Sequence, residues 1–372
     1  MTPGPDRASG ATGGLPVLPD FPWDSLAAET ATARSHPDGV VDLSVGTPVD
    51  PVPAVVATAL QEAWNSPGYP QTHGTPALRH AVVEALSRRF GVAGLEPDAV
   101  LPTIGSKELV AWLPTLLGLR GATVAIPSLA YPTYEVGALL AGAEAVRVPD
   151  DGPLPRDARL VWLNSPSNPT GRVLSAEALA ARVAEAREIG AVVASDECYL
   201  GLPGPGSDPV SVLDPRVHGG SLEGLLAVHS LSKTSQLAGY RAAFVAGDPA
   251  LVASLLAVRK HAGMIVPRPV QEAMTAALSD DFHVAVTRQR YDARRDVLRP
   301  ALEKAGFTID HSEAGLYLWA TRGEPCRTTV GWFAERGVLV APGEFYGPDG
   351  GEHVRIALTA SDERIERGAS RL

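Results

Sequence analysis

Cysteine is scarce in this sequence: Cys198 and Cys326 are the two among 372 residues. Two thiols cannot build a disulfide framework, and they fit no metal-ligand spacing, so no metal site is expected. The same scarcity suits a reducing compartment, and a cytoplasmic protein is expected. Basic charge is also in short supply. Lys and Arg total 32 against 42 Asp and Glu, a net charge of -10. A nucleic-acid surface needs the opposite balance, a basic stripe that displaces counterions, so no nucleic-acid partner is expected. Long apolar runs are missing. The longest, 109–119, contains Pro114 and Gly118 and falls short of the roughly 18 residues that cross a bilayer, so no membrane partner is expected. No basic start leads into an apolar run, as a secretory signal would require. No internal repeat, zinc motif or phosphate-loop motif is present. The 37 Gly and 33 Pro follow no triplet period, which excludes a collagen-like chain. With 45% hydrophobic and 20% charged residues the chain is globular rather than disordered.

The Gly- and Pro-rich stretch 1–19 reads as a flexible arm. From about Val40 onward, short β-rich runs alternate with Ala- and Leu-rich helical runs. Candidate strands are 40–45, 123–126, 160–163, 191–194, 225–228 and 242–245. Candidate helices are 53–64 and 76–90, each with Pro in its first turn, where the missing N–H costs nothing, and 177–187. This alternation predicts an α/β fold, a mostly parallel sheet sandwiched by helices. A long helical region, 269–304, leads to further strands at 306–309, 316–319, 337–340 and 354–358 around a helix at 330–336, a smaller α+β domain. The expected division is 20–46 and 297–372 for the smaller domain and 47–296 for the larger.

In parallel sheets ligands bind beyond the carboxyl ends of the strands, and four of those ends are rich in polar groups. They are Asn164 to Gly171, Ser195-Asp196-Glu197-Cys198-Tyr199, Ser230-Leu231-Ser232-Lys233 with Arg241 after it, and Gly105-Ser106-Lys107-Glu108 opening an apolar helix. Taken singly, each has a structural explanation as a turn, a cap or a solvated loop. Together they supply a lysine, a carboxylate, an amide, a phenol, an arginine and a helix N-terminus. Pyridoxal phosphate needs such a set. Its aldehyde needs a lysine, and its pyridine nitrogen needs a carboxylate to stay protonated. Its phenolic oxygen needs donors, for which Asn168 and Tyr199 are suitable. Its phosphate needs backbone N–H groups, hydroxyls and a guanidinium, for which Ser106, Ser230 and Arg241 are suitable.

From about Val40 to Leu358 the sequence resembles the fold-type-I, pyridoxal-phosphate-dependent aminotransferases of the aspartate aminotransferase class. The residues that carry the resemblance are Ser44 to Pro48, Tyr69 to Gly74, Asn168-Pro169-Thr170-Gly171, Asp196 to Tyr199, Ser230 to Lys233 with Arg241, and Val354-Arg355-Ile356. The resemblance implies that Lys233 binds the cofactor aldehyde and shuttles the substrate proton, and that Asp196 faces the ring nitrogen. It implies that Asn168 and Tyr199 bond the ring oxygen, and that Gly105, Ser106, Lys107, Ser230, Ser232 and Arg241 form the phosphate site. Arg355 would clamp the α-carboxylate bidentately, and Gly46 would let the N-terminal segment approach the substrate. Tyr69 would reach the phosphate of a neighbouring subunit, so a homodimer with shared sites is implied. For the aromatic residue stacked on the ring, the stretch 127–134 offers Tyr131 or Tyr134, and Tyr131 is favoured.

Within the class, the stretches 42–50, 104–112, 129–134 and 259–264 are similar to the short actinobacterial-type succinyldiaminopimelate aminotransferases. That likeness implies transfer of an amino group from glutamate to N-succinyl-2-amino-6-oxopimelate. Such a polyanionic substrate calls for a basic far end of the pocket; the resemblance implies that the stretch 259–264 enters the partner subunit's site, and Arg259 or Lys260 is expected to contact the distal carboxylate there. The alternatives are another class I aminotransferase, acting on aspartate, aromatic or acylornithine-type substrates, and a C–S lyase on the same fold.

Overall fold

The structure is a computed structural model that describes residues 18–372; the arm expected over 1–19 lies outside the described residues as far as residue 17. The short β1 (Val41–Asp42) precedes the main sheet. The main sheet takes β2 (Val100–Ile104), β3 (Thr123–Pro127), β4 (Glu144–Val148), β5 (Ala158–Asn164), β6 (Val192–Asp196), β7 (Leu225–Ser230) and β8 (Ala242–Gly247). Its spatial order is β2-β8-β7-β6-β5-β3-β4. β8 runs antiparallel to both neighbours, and the other pairs are parallel. The expected α/β sandwich is therefore present.

Alternation along the central strands explains the sandwich. Leu160 and Trp162 enter one core with Ala194, Leu226 and Val228, under the helices Ser106–Leu116, Thr133–Ala141 and Pro249–Ala262. Val161 and Leu163 enter the opposite core with Val193, Leu225 and Ala227, under Pro76–Phe90, Ala176–Glu188 and Arg268–Ser279. Strands buried on both faces read as continuous apolar runs, which is why these were visible in the sequence. The two edge strands were not. β2 carries Pro102, which a sheet tolerates at an edge. β4 spells Glu-Ala-Val-Arg-Val, too polar to stand out.

The long helical region of the C-terminal half is two helices, Arg268–Ser279 and Phe282–Lys304, broken at Asp280 and Asp281. Beyond it lies a second sheet of β9 (Thr308–Asp310), β10 (Tyr317–Thr321), β12 (Ala341–Pro342) and β13 (His353–Ala357), in the order β12-β13-β10-β9. β11 (Val338–Leu339) pairs in parallel with β1. A separate core of Leu43, Leu316, Trp319, Phe333 and Ile356 supports these strands. Arg294 ties this part to the segment before the main sheet, bonding Asp50 at 2.7 and 3.0 Å and Asp362 at 2.7 Å.

Candidate active site

The carboxyl ends of β2, β3, β5, β6 and β7 converge with the start of β8 on a cavity of about 470 Å³. Lys233 lies in the short turn of helix Leu231–Thr234 that follows β7. Its ammonium donates to Gly46 O and borders the cavity. Burial holds its pKa below the ordinary lysine value. Gly46 must be glycine, because a Cβ there would lie 2.1 Å from Tyr317 Oη.

Asp196 ends β6 with its side chain in the cavity. Tyr134 Oη donates to its Oδ2 at 2.9 Å, and Cys198 N donates to its Oδ1 at 3.2 Å. Burial still pushes the carboxyl pKa up, against the opposing pull of those donors. Asn164, at the end of β5, donates from Nδ2 to Asp196 O at 2.9 Å and accepts from Asn168 N at 2.8 Å. Asn168 in turn accepts from Arg355 Nη1 at 2.9 Å, while Arg355 Nη2 donates to Ser44 O at 2.8 Å. The Arg355 guanidinium lies 4.0 Å from the Tyr317 ring centroid and 5.0 Å from that of Tyr346. Its Nε is buried with no partner.

Tyr199 Oη and Tyr317 Oη are 3.2 Å apart. Burial, then the Tyr317 neighbour, pushes the Tyr199 phenol far up. Burial also raises Tyr317, but Arg355 and Lys233 outweigh it and draw that phenol down.

At the other end of the cavity, Gly105 caps the helix Ser106–Leu116 with φ +80, and a Cβ there would lie 2.2 Å from Arg241 Nη2. Ser230 Oγ bonds Ser232 Oγ at 2.9 Å and accepts from Ser232 N at 3.1 Å. Ser106, Lys107, Ser230, Ser232 and Arg241 all line this end. Helix N–H groups, hydroxyls and a guanidinium form an anion cradle.

Tyr131 and Tyr134 both line the cavity, edge to face with centroids 6.3 Å apart. Tyr134 is fully buried, stacked on Trp162 and bonded to Asp196. Tyr131 is the more open of the two, with Lys107 Nζ 5.7 Å from its centroid.

Arg259 lies apart from the cavity of its own chain. It is fully buried and grips Glu108 with two bonds of 2.9 and 3.1 Å, away from the cavity. A carboxylate in the first turn of the helix that opens the anion cradle needs a counter-charge, and Arg259 supplies it. Its Nη1 and Nη2 are both engaged by Glu108, and its Nε is buried without a partner. Lys260 is exposed on the next position and does not border the cavity of this chain. Tyr69 is fully exposed, outside the cavity, beside Gln71 and Arg268.

Sequence reasoning missed Tyr317, Tyr346 and Trp23. Trp23 lines the cavity and packs on Phe345 at 5.2 Å. Each lies in an aromatic-containing stretch that reads as core, and the tertiary contact of the segment 313–317 with the turn 199–204 after β6 places Tyr317 at the cavity.

The residues present fit pyridoxal phosphate. The buried acid Asp196 has neutral donors alone, the cradle at Gly105 has no room for a Cβ, and Arg355 Nε is unpartnered.

Comparison with known proteins agrees. The profile of the family described as "Aminotransferase class I and II" matches residues 38–372. "Probable aminotransferase Rv1178" of Mycobacterium tuberculosis is 61% identical over 368 residues, 98% of this chain and 88% of that one. The "4-dedimethylamino-4-oxo-anhydrotetracycline transaminase OxyQ" of Streptomyces rimosus is 58% identical over 359 residues, 95% of this chain and 99% of that one. Among solved structures, the N-succinyldiaminopimelate aminotransferase from Mycobacterium tuberculosis matches with a TM-score of 0.82 at 28% identity, covering 93% and 96% of the two chains.

Proposed function

Because the chain belongs to the class I and II aminotransferases, which use pyridoxal phosphate and act on amino and keto acids, we propose that it moves an amino group from glutamate to N-succinyl-2-amino-6-oxopimelate. One observation carries the transamination: a half-buried lysine, a buried acid and a buried guanidinium border one cavity. When bound, pyridoxal phosphate supplies an aldehyde that condenses with amines and a ring that accepts electrons from the substrate α-carbon.

The chain's own groups do the rest. Asp196 Oδ2 would keep a proton on the ring nitrogen, and Tyr134 and Cys198 N fix that carboxylate in place. Asn168 and Tyr199 would bond the ring oxygen. Tyr131 would cover the ring face. The N-terminus of Ser106–Leu116, with Ser230, Ser232 and Arg241, would hold the phosphate, joined by Tyr69 of the partner subunit in a homodimer. Arg355, aimed by Asn168 and Ser44 O, would grip the α-carboxylate and so present the α-hydrogen to Lys233. Lys233 Nζ, biased towards its uncharged form by burial, would take the proton from the α-carbon and return it at the cofactor carbon.

The succinylated acceptor is supported by the likeness to the N-succinyldiaminopimelate enzyme and by Lys107, whose ammonium sits at the cavity over Tyr131. Lys260 of the partner subunit would meet the distal carboxylate. A second acceptor has its own support: 58% identity to a transaminase named for an oxo-anhydrotetracycline. A glutamate half-reaction followed by both acceptors separates the readings. Turnover with the succinylated keto acid upholds the first, and turnover with the polycyclic ketone alone replaces it. Lys260→Ala should raise KM for the succinylated acceptor more than for glutamate, and equal changes reject that contact.

A further inference from the structure

We propose that Glu197 and His229 form a buried positioning pair on the reverse face of the main sheet, which holds Asp196 and Ser230 in register for the cofactor. The inference rests on the cofactor placement proposed above.

Alternation along β6 and β7 puts Asp196 and Ser230 on the cavity side. Their sequence neighbours Glu197 and His229 therefore fall together behind the sheet. Both are almost wholly buried, with side-chain exposures of 1% and 7%. Glu197 Oε2 lies 3.1 Å from His229 Nε2, a close approach outside hydrogen-bond geometry. Glu197 also accepts from Ser211 Oγ at 2.7 Å and from Val212 N at 2.6 Å. Its own N–H donates to Val228 O at 2.9 Å. The Glu197 side chain cannot turn without giving up these partners. His229 is equally confined, stacked between Phe90 at 5.9 Å and Phe244 at 5.1 Å. The pair thus joins the end of β6, the end of β7, the 211–213 turn and the helix Pro76–Phe90.

The cavity side has less to fix the same strand ends. Asp196 has two side-chain donors and the Asn164 Nδ2 donor to its O, and Ser230 bonds within its own turn. Functional side chains need support from behind to stay within a fraction of an ångström of the productive geometry. Glu197 and His229 are so placed, one residue from each group they would steady.

The test is calorimetric binding of pyridoxamine 5′-phosphate, which needs no link to Lys233, well below the melting temperature. Glu197→Gln and His229→Asn should each weaken binding about tenfold. Opposite signs, a loss in one variant alone, or binding within twofold of wild type with a lowered melting temperature would each overturn the proposal. If Glu197→Gln does not fold, Ser211→Ala takes its place. It should weaken binding about threefold, and no change overturns the role. Asp196→Ala is the control: if it binds normally, the cofactor placement fails rather than the pair.

Discussion

Lys233 is an amine that the fold keeps at a cost. Its pKa is depressed by burial, so the folded chain disfavours the charged form that the unfolded chain carries. The stability this group contributes is full above the unfolded value, about 10.4, and is lost as pH falls through the depressed folded value. At neutral pH Lys233→Met should therefore raise the melting temperature of the cofactor-free protein, by about 2 °C. The gain should shrink as pH approaches the unfolded value. A lower melting temperature across that range would contradict the burial argument. Arg259 illustrates the opposite case. Arg259→Met strands the Glu108 carboxylate and should cost about 3–5 kcal/mol in denaturant unfolding, with the KM values of donor and acceptor moving together. An acceptor-specific rise in KM would restore the substrate contact expected from the sequence. Lys233 and Asp196 were legible as polar groups at strand ends, and Arg355 through the resemblance to the aminotransferases. The Arg259–Glu108 pair was not, since the partners stand far apart in the chain and only packing of Pro249–Ala262 on Ser106–Leu116 joins them.

Among elements, the anion cradle depends on how the helix Ser106–Leu116 begins. Gly105 combines φ +80 with a 2.2 Å approach of a would-be Cβ to Arg241. Gly105→Ala meets both obstacles, at about 1–3 kcal/mol for the backbone alone. It should weaken cofactor phosphate binding at least tenfold by fluorescence titration, and binding within twofold of wild type would mean that Arg241 moves aside freely. The central strands β5 to β8 were legible for the reason that makes them central: both faces are buried, so each is an unbroken apolar run. Edge strands β2 and β4, and the break at Asp280, were hidden because edge pairing tolerates proline and charge, and helix periodicity continues across a two-residue gap. The meeting of β10 with the cavity through Tyr317 is tertiary, and no local pattern announces it.

At the scale of the whole molecule, one chain builds almost all of a site. Tyr69, however, stands fully exposed outside the cavity. If two copies share sites, as proposed, mixing Tyr69→Ala with Lys233→Ala subunits after reversible dissociation should restore activity. The hybrid pairs one intact lysine with one intact tyrosine, giving about a quarter of wild-type activity at statistical exchange. Activity no higher than the mean of the two parents would place each site within one subunit. The acidic net charge of -10 leaves the local cluster of Arg355, Arg241, Lys107 and Lys233 as the feature that draws anionic substrates.

The lysines of this chain are Lys107, Lys233, Lys260 and Lys304, which makes the central claim open to direct test. Borohydride reduction of the protein loaded with pyridoxal phosphate, followed by peptide mass spectrometry, should find the reduced cofactor on Lys233 at close to one per chain. A label on Lys107, Lys260 or Lys304 instead, or none at all, would contradict the account.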